Sequence, residues 1–152
     1  MNKTDLSTPA QKWRMVVFVL LILTFASTLI PGVYVYCAYH PVFHPNNTNH
    51  AYYNYINNPF SLATFCAVVN VLISAILTFK SLKMKDNRML LWVVLFCSIA
   101  LFWIRLSSGM TYVSQCYEYG HGLKWLPFVP PILLVLSMIA AVIAWFVGRK
   151  KA

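Results

Sequence analysis

The side chains with the most chemical capacity in this chain lie outside its apolar runs. They are His40, His44, His50 and His121, with Cys37, Cys116 and Glu118. Imidazole and thiolate donors of this kind suit zinc or copper. His40 and His44 have the i, i+4 spacing of a helical ligand pair. Pro41 and Pro45 follow them directly, however, and push each histidine toward extended backbone. The spacing alone therefore builds no ligand pair, and no motif calls for a cofactor. Cys37 and Cys116 are a candidate disulfide joining two loops in an oxidising compartment. Cys66 and Cys97 fall inside apolar runs and read as small packing residues. No nucleophile–base pair has a recognisable spacing, so the reading leans away from an enzyme.

A second candidate is Arg105, the only ionised side chain within an apolar run. A charge at the bilayer centre costs about 2.5–3.5 kcal/mol, and less near an edge. Counted from Met89 at 1.5 Å per residue, Arg105 lies about 24 Å along its helix, near the outer boundary. Ser98, Arg105 and Ser108 share one side by 7-then-3 spacing, and that side is expected to face the other helices. Glu118, the one acidic residue on the outer side, is the expected partner of Arg105. Asn70 of the second run joins this polar cluster if the two spans are neighbours.

These groups must be positioned by helices in lipid. Of the 152 residues, 60% are hydrophobic and only 10% charged, against about 25% charged in a soluble domain. Four runs, about 15–36, 59–79, 89–110 and 125–147, each match the roughly 20 residues that cross a 30 Å hydrocarbon core. They form one transmembrane domain over residues 1–152. The fold class is all-α integral membrane: an antiparallel four-helix bundle with two outer loops. The first run's apolar core is too long for a signal peptide. Pro31-Gly32 is expected to kink or end the regular first helix.

The net charge of +9 is distributed by topology. Lys3, Lys12, Arg14, Lys80, Lys83, Lys85, Arg88, Arg149, Lys150 and Lys151 flank the runs on one side, and Lys124 alone lies on the other. The positive-inside rule places both termini and the 80–88 loop in the cytoplasm, with loops 37–58 and 111–124 outside. The membrane is a bacterial inner membrane or a eukaryotic plasma membrane or endomembrane. The basic groups are expected to touch anionic lipid headgroups, at about 1 kcal/mol each, and not nucleic acid. All nine tyrosines fall at the outer ends or in the outer loops, as amphipathic rings do at headgroup depth. Asn46-Asn47-Thr48 matches the glycosylation acceptor pattern.

Small and polar residues form stripes at Ala63, Ala67, Asn70, Ser74 and Thr78, and at Ser137, Ala141, Ala144 and Gly148. Such stripes let helices approach closely in lipid, and packing within the one chain is the preferred reading. No run contains Asp or Glu, which argues against a carboxylate-lined cation or proton path. The architecture resembles that of the four-helix quinone-coupled disulfide-forming membrane proteins. Those carry paired cysteines in each outer loop, whereas this chain has one per loop.

Three functions follow as expectations. The first is an accessory or regulatory subunit, or a toxin-immunity-type protein, that works by contact with another membrane protein through outer-loop residues Tyr52, Tyr53 and Tyr55. The second is a small homo-oligomeric transporter or channel with Arg105 at its outer mouth. The third is an outward-facing Cys/His redox or metal-handling protein.

Overall fold

The computed structural model describes residues 8–39, 62–118 and 128–149, and side chains for 8–28, 65–106 and 128–149. These residues are all-helical, in four helices: α1 (Pro9–Tyr39), α2 (Leu62–Ser81), α3 (Arg88–Glu118) and α4 (Val129–Arg149). Three of them, α1, α3 and α4, are long and apolar enough to cross a membrane. The described apolar stretch of α2, Phe65–Ser81, is shorter.

The helices run further than the apolar pattern predicts. Helix α1 starts at Pro9, six residues before the first apolar run at about 15–36. Thr8 stands at the N-cap: its carbonyl accepts from the Gln11 and Lys12 amides at 3.0 and 3.2 Å, and its hydroxyl donates to Gln11 Oε1 at 3.0 Å across the first turn. Pro9 sits at the first helical position, where its missing N–H costs nothing. Helix α1 also continues through Pro31-Gly32 to Tyr39. An interior proline removes one i→i−4 bond, and a membrane helix tolerates that loss. Helix α3 extends to Glu118, so residues 111–118, expected as loop, are helical. Its start is fixed by Asp86, whose Oδ1 accepts from the Arg88 amide at 3.0 Å. In α4, Pro130 and Pro131 occupy the first turn, where a missing N–H is tolerated.

Each helix packs against two others. Helix α1 lies on α2 and α4, and α3 lies on the same pair. The buried rows repeat at helical spacing: Arg14, Val17, Leu21 and Thr24 on α1; Ala67, Val71, Ser74, Thr78 and Ser81 on α2; Leu90, Val93, Cys97, Ala100 and Ile104 on α3; Leu134, Ser137, Ala141 and Ala144 on α4. The small-residue stripes are thus packing faces within one chain. Asn70 and Gly148 are half-buried at their edges, and the Ala63 side chain lies outside the described residues.

The hydroxyls in these rows turn back on their own helices. Thr24 donates to Leu20 O at 2.7 Å, Ser74 to Asn70 O at 2.8 Å, Thr78 to Ser74 O at 2.8 Å and Ser137 to Leu133 O at 2.7 Å. Satisfied in this way, they pack as small residues, and Ser74 also has the Cys97 thiol of α3 as a side-chain hydrogen-bond partner. The outer surface is apolar, with Phe65, Leu106, Phe102, Ile132 and Phe146 all more than half exposed. Only 22–28% of each spanning stretch is buried. So much exposed apolar surface is stable in hydrocarbon and not in water.

Candidate functional site

The described polar side chains that bond from one helix to another segment gather around Arg14, a place that was not anticipated. Arg14, read from sequence as a topology charge, is 3% exposed. Its position continues the Val17–Leu21–Thr24 row at 3-then-4 spacing, so the helix carries it inward with the core residues. Its Nη1 donates to Ser81 O and, at 2.7 Å, to Met84 O, while Nη2 donates to Asn87 Oδ1. The last carbonyls of a helix have no partner within it and carry the negative end of its dipole. A guanidinium from α1 thus caps the end of α2 and clamps the following turn.

The clamp reaches the other helices through Asn87. Its carbonyl accepts from the Leu90 amide at 3.1 Å in the first turn of α3. Its side-chain amide lies against Gly148 of α4, where a β-carbon would stand only 3.0 Å from Asn87 Cγ and closer still to Nδ2. A side chain at 148 would therefore force the Asn87 amide to move. One arginine and one asparagine tie together the ends of all four helices. Around them Lys12, Lys80, Lys83, Lys85, Arg88 and Arg149 are exposed. Arg149 stacks over the Trp145 ring at 4.4 Å, and Arg88 Nε lies 3.9 Å from Asp86 Oδ2 in an exposed pair.

The cluster expected around Arg105 is not assembled. Ser98 and Arg105 are exposed, because the Leu90–Val93–Cys97–Ala100–Ile104 row holds the inward face of α3. Ser98 closes its own hydrogen bond to Val94 O at 2.8 Å. Polar residues were expected inward on the logic that lipid rejects them. A back-bonded serine, and an arginine close enough to the boundary to extend toward water, escape that logic. Glu118 is also removed from Arg105, since the unbroken helix sets it 13 residues on, about 20 Å along the axis. Asn70 donates from Nδ2 to Cys66 O at 2.7 Å on its own helix. Counted from the 82–87 turn, it sits about 10 Å short of the level of Arg105. The Ser108 side chain lies outside the described residues.

Tyr52, Tyr53, Tyr55, His40, His44, His50 and His121 also lie outside the described residues. Among the described residues no group of three potential ligands could hold a metal. Cys37 and Cys116 fall in the last turns of α1 and α3, with their side chains outside the described set. Arg14 and Asn87 are bonded and mark one level. From that level Cys37 is about 35 Å along α1 and Cys116 about 44 Å along α3. A disulfide needs its Cα atoms within about 7 Å, so a bridge requires the end of α3 to unwind. Cys97 is fully buried and Cys66 half-buried, both as free thiols.

No family model, no curated protein and no solved structure matches the chain.

Proposed function

We propose that this is a non-catalytic integral membrane protein that works by contact, as an accessory or regulatory subunit or a toxin-immunity-type protein. In this reading α2 is a fourth span completing an antiparallel bundle. Both termini and the 82–87 turn are cytoplasmic, because the exposed cations cluster at the Arg14 end. The outer loop with Tyr52, Tyr53 and Tyr55, together with Glu118 at the end of α3, meets another membrane protein.

The observation that carries the reading is the state of the interior polar groups. The buried hydroxyls of Thr24, Ser74, Thr78 and Ser137 bond to their own helices. Arg14, the one buried cation among the described residues, is committed to capping α2. A pathway needs polar groups free to exchange with a solute, and a catalytic site needs a nucleophile or base in reach of one. Among the described residues the one buried side-chain nitrogen or oxygen without a partner is Arg14 Nε, at the end of the bundle, and Arg105 is exposed. Chemistry is thereby moved from the inside of the protein to its surface.

Affinity capture from native membranes in mild detergent tests this. The tagged protein should retain one defined membrane protein, and the triple variant Tyr52→Ala, Tyr53→Ala, Tyr55→Ala should lose it. Equal retention by the variant, or no specific partner in the wild-type sample, would contradict the proposal.

A further inference from the structure

The outward face of α3 contains one feature that packing leaves unexplained. Arg105 is an exposed cation on a surface otherwise made of Leu95, Phe102 and Leu106. Leu91, Leu95, Ser98, Phe102 and Arg105 follow 4-3-4-3 spacing, so they form one continuous seam along the helix. Leu91, Leu95 and Phe102 are each 47–58% exposed, and Ser98 is exposed with its hydroxyl bonded to Val94 O. The seam is apolar, self-satisfied, and ends in a guanidinium.

We infer that this seam binds a phospholipid, with an acyl chain along Leu91, Leu95 and Phe102 and the phosphate on Arg105. Depth, charge geometry and the neighbouring rings select this occupant. Arg105 lies about 25 Å along α3 from Arg88, near the far boundary of a 30 Å hydrocarbon core. The flexible stem brings the guanidinium to phosphate depth. A planar guanidinium binds a phosphate through two parallel hydrogen bonds, which an ammonium does not reproduce. A second copy docked through the same seam would set two Arg105 side chains against each other in low dielectric, which is repulsive. The Phe102–Trp103 ring pair, 5.6 Å apart and edge-on, places aromatic surface one turn below the proposed phosphate. That is the depth at which such rings favour the interface.

The inference rests on the membrane-spanning reading of α3 and is independent of any protein partner. Native mass spectrometry of purified protein titrated with phosphatidylglycerol tests it. Wild type should hold one phosphatidylglycerol that Arg105→Gln releases about tenfold more readily, equivalent to about 1.4 kcal/mol. Arg105→Lys should fall between the two. Because Arg105 is exposed, Arg105→Gln should leave the fold intact, and an unchanged melting temperature checks this. Lys83→Gln with Lys85→Gln, at the opposite end, controls for headgroup binding to the basic rim and should leave that lipid in place. Equal lipid retention by wild type and Arg105→Gln would overturn the inference. So would loss of a bound protein, and not of lipid, from Arg105→Gln, which would instead place a carboxylate-bearing helix on the seam. Loss of the captured partner through the tyrosine variant alone leaves the lipid result untouched, so the two proposals fail separately.

Discussion

Arg14 Nη1 stands 2.7 Å from the carbonyl oxygen of Met84, 70 residues away in sequence. Through this bond and its companions on Ser81 and Asn87, a cation near the start of α1 closes the far end of α2 and the turn beyond it. The arrangement links the ends of the four helices at the basic end of the molecule through Arg14 and Asn87.

Removing this cation should be costly. Arg14→Ala leaves the Ser81 and Met84 carbonyls and the Asn87 amide without their donor. Hydrogen bonds to a charged group contribute about 1.5–3 kcal/mol each and are not additive here, so a net loss of about 3 kcal/mol is expected. Arg14→Lys retains the charge but cannot donate from two nitrogens in the same fork, and should fall between. Thermal unfolding in detergent, followed by size-exclusion fluorescence, reads both.

Gly148→Ala should destabilise through Asn87. The new β-carbon would collide with the Asn87 amide and displace it from Arg14, at a cost of about 1–3 kcal/mol as for overpacking. Asn87→Ala removes the obstacle along with one bond to Arg14. In a double-mutant cycle, Gly148→Ala should cost much less in the Asn87→Ala background. Strict additivity of the two melting shifts would show that the contact does not transmit strain.

Ala141 and Ile139 should respond oppositely to their apparent importance in size. Ala141 is fully buried in the small-residue row of α4, whereas Ile139 is 52% exposed. Ala141→Leu forces the helices apart and should cost about 1–3 kcal/mol. Ile139→Ala in lipid should stay within about 0.5 kcal/mol, the range of surface changes that touch no packing or polar feature. Melting temperatures of the two purified variants separate a packed interior from a loosely associated one.

The cysteines give a covalent check on helix length. If α1 and α3 remain helical to Tyr39 and Glu118, Cys37 and Cys116 are offset by about 9 Å along the axes, beyond disulfide reach. Mass spectrometry after alkylation without reductant should then find four free thiols. Two free thiols and a Cys37–Cys116 crosslinked peptide would show that the last turns of α3 are unwound and the outer loops tied.

What could be read beforehand follows from where the information is local. The apolar runs are dictated by composition over about 20 residues, so three spanning helices were legible, as were the stripes carrying Ala67, Ser74, Ser137 and Ala141. The role of Arg14 was not, because its acceptors are backbone carbonyls at Ser81 and Met84, which no side-chain motif announces. Its register with Val17, Leu21 and Thr24 was the available signal, and counting it only as a topology charge passed over that signal. Ser98 and Arg105 were assigned inward by treating polarity as a compass, a rule that back-bonding and snorkelling defeat in lipid. The helix ends were misjudged for a related reason. Capping by Thr8 and continuation past Pro31 depend on backbone bonds and not on hydropathy.

The central claim, contact through the outer face, is tested most directly by photocrosslinking in intact membranes. A photoreactive residue placed at Tyr53 should yield one discrete crosslinked membrane protein. The same residue at Trp92, exposed near the start of α3 beside the basic rim, should not yield that product. A matching crosslink from both positions, or none from Tyr53 while the protein retains its function in the same cells, would contradict the account.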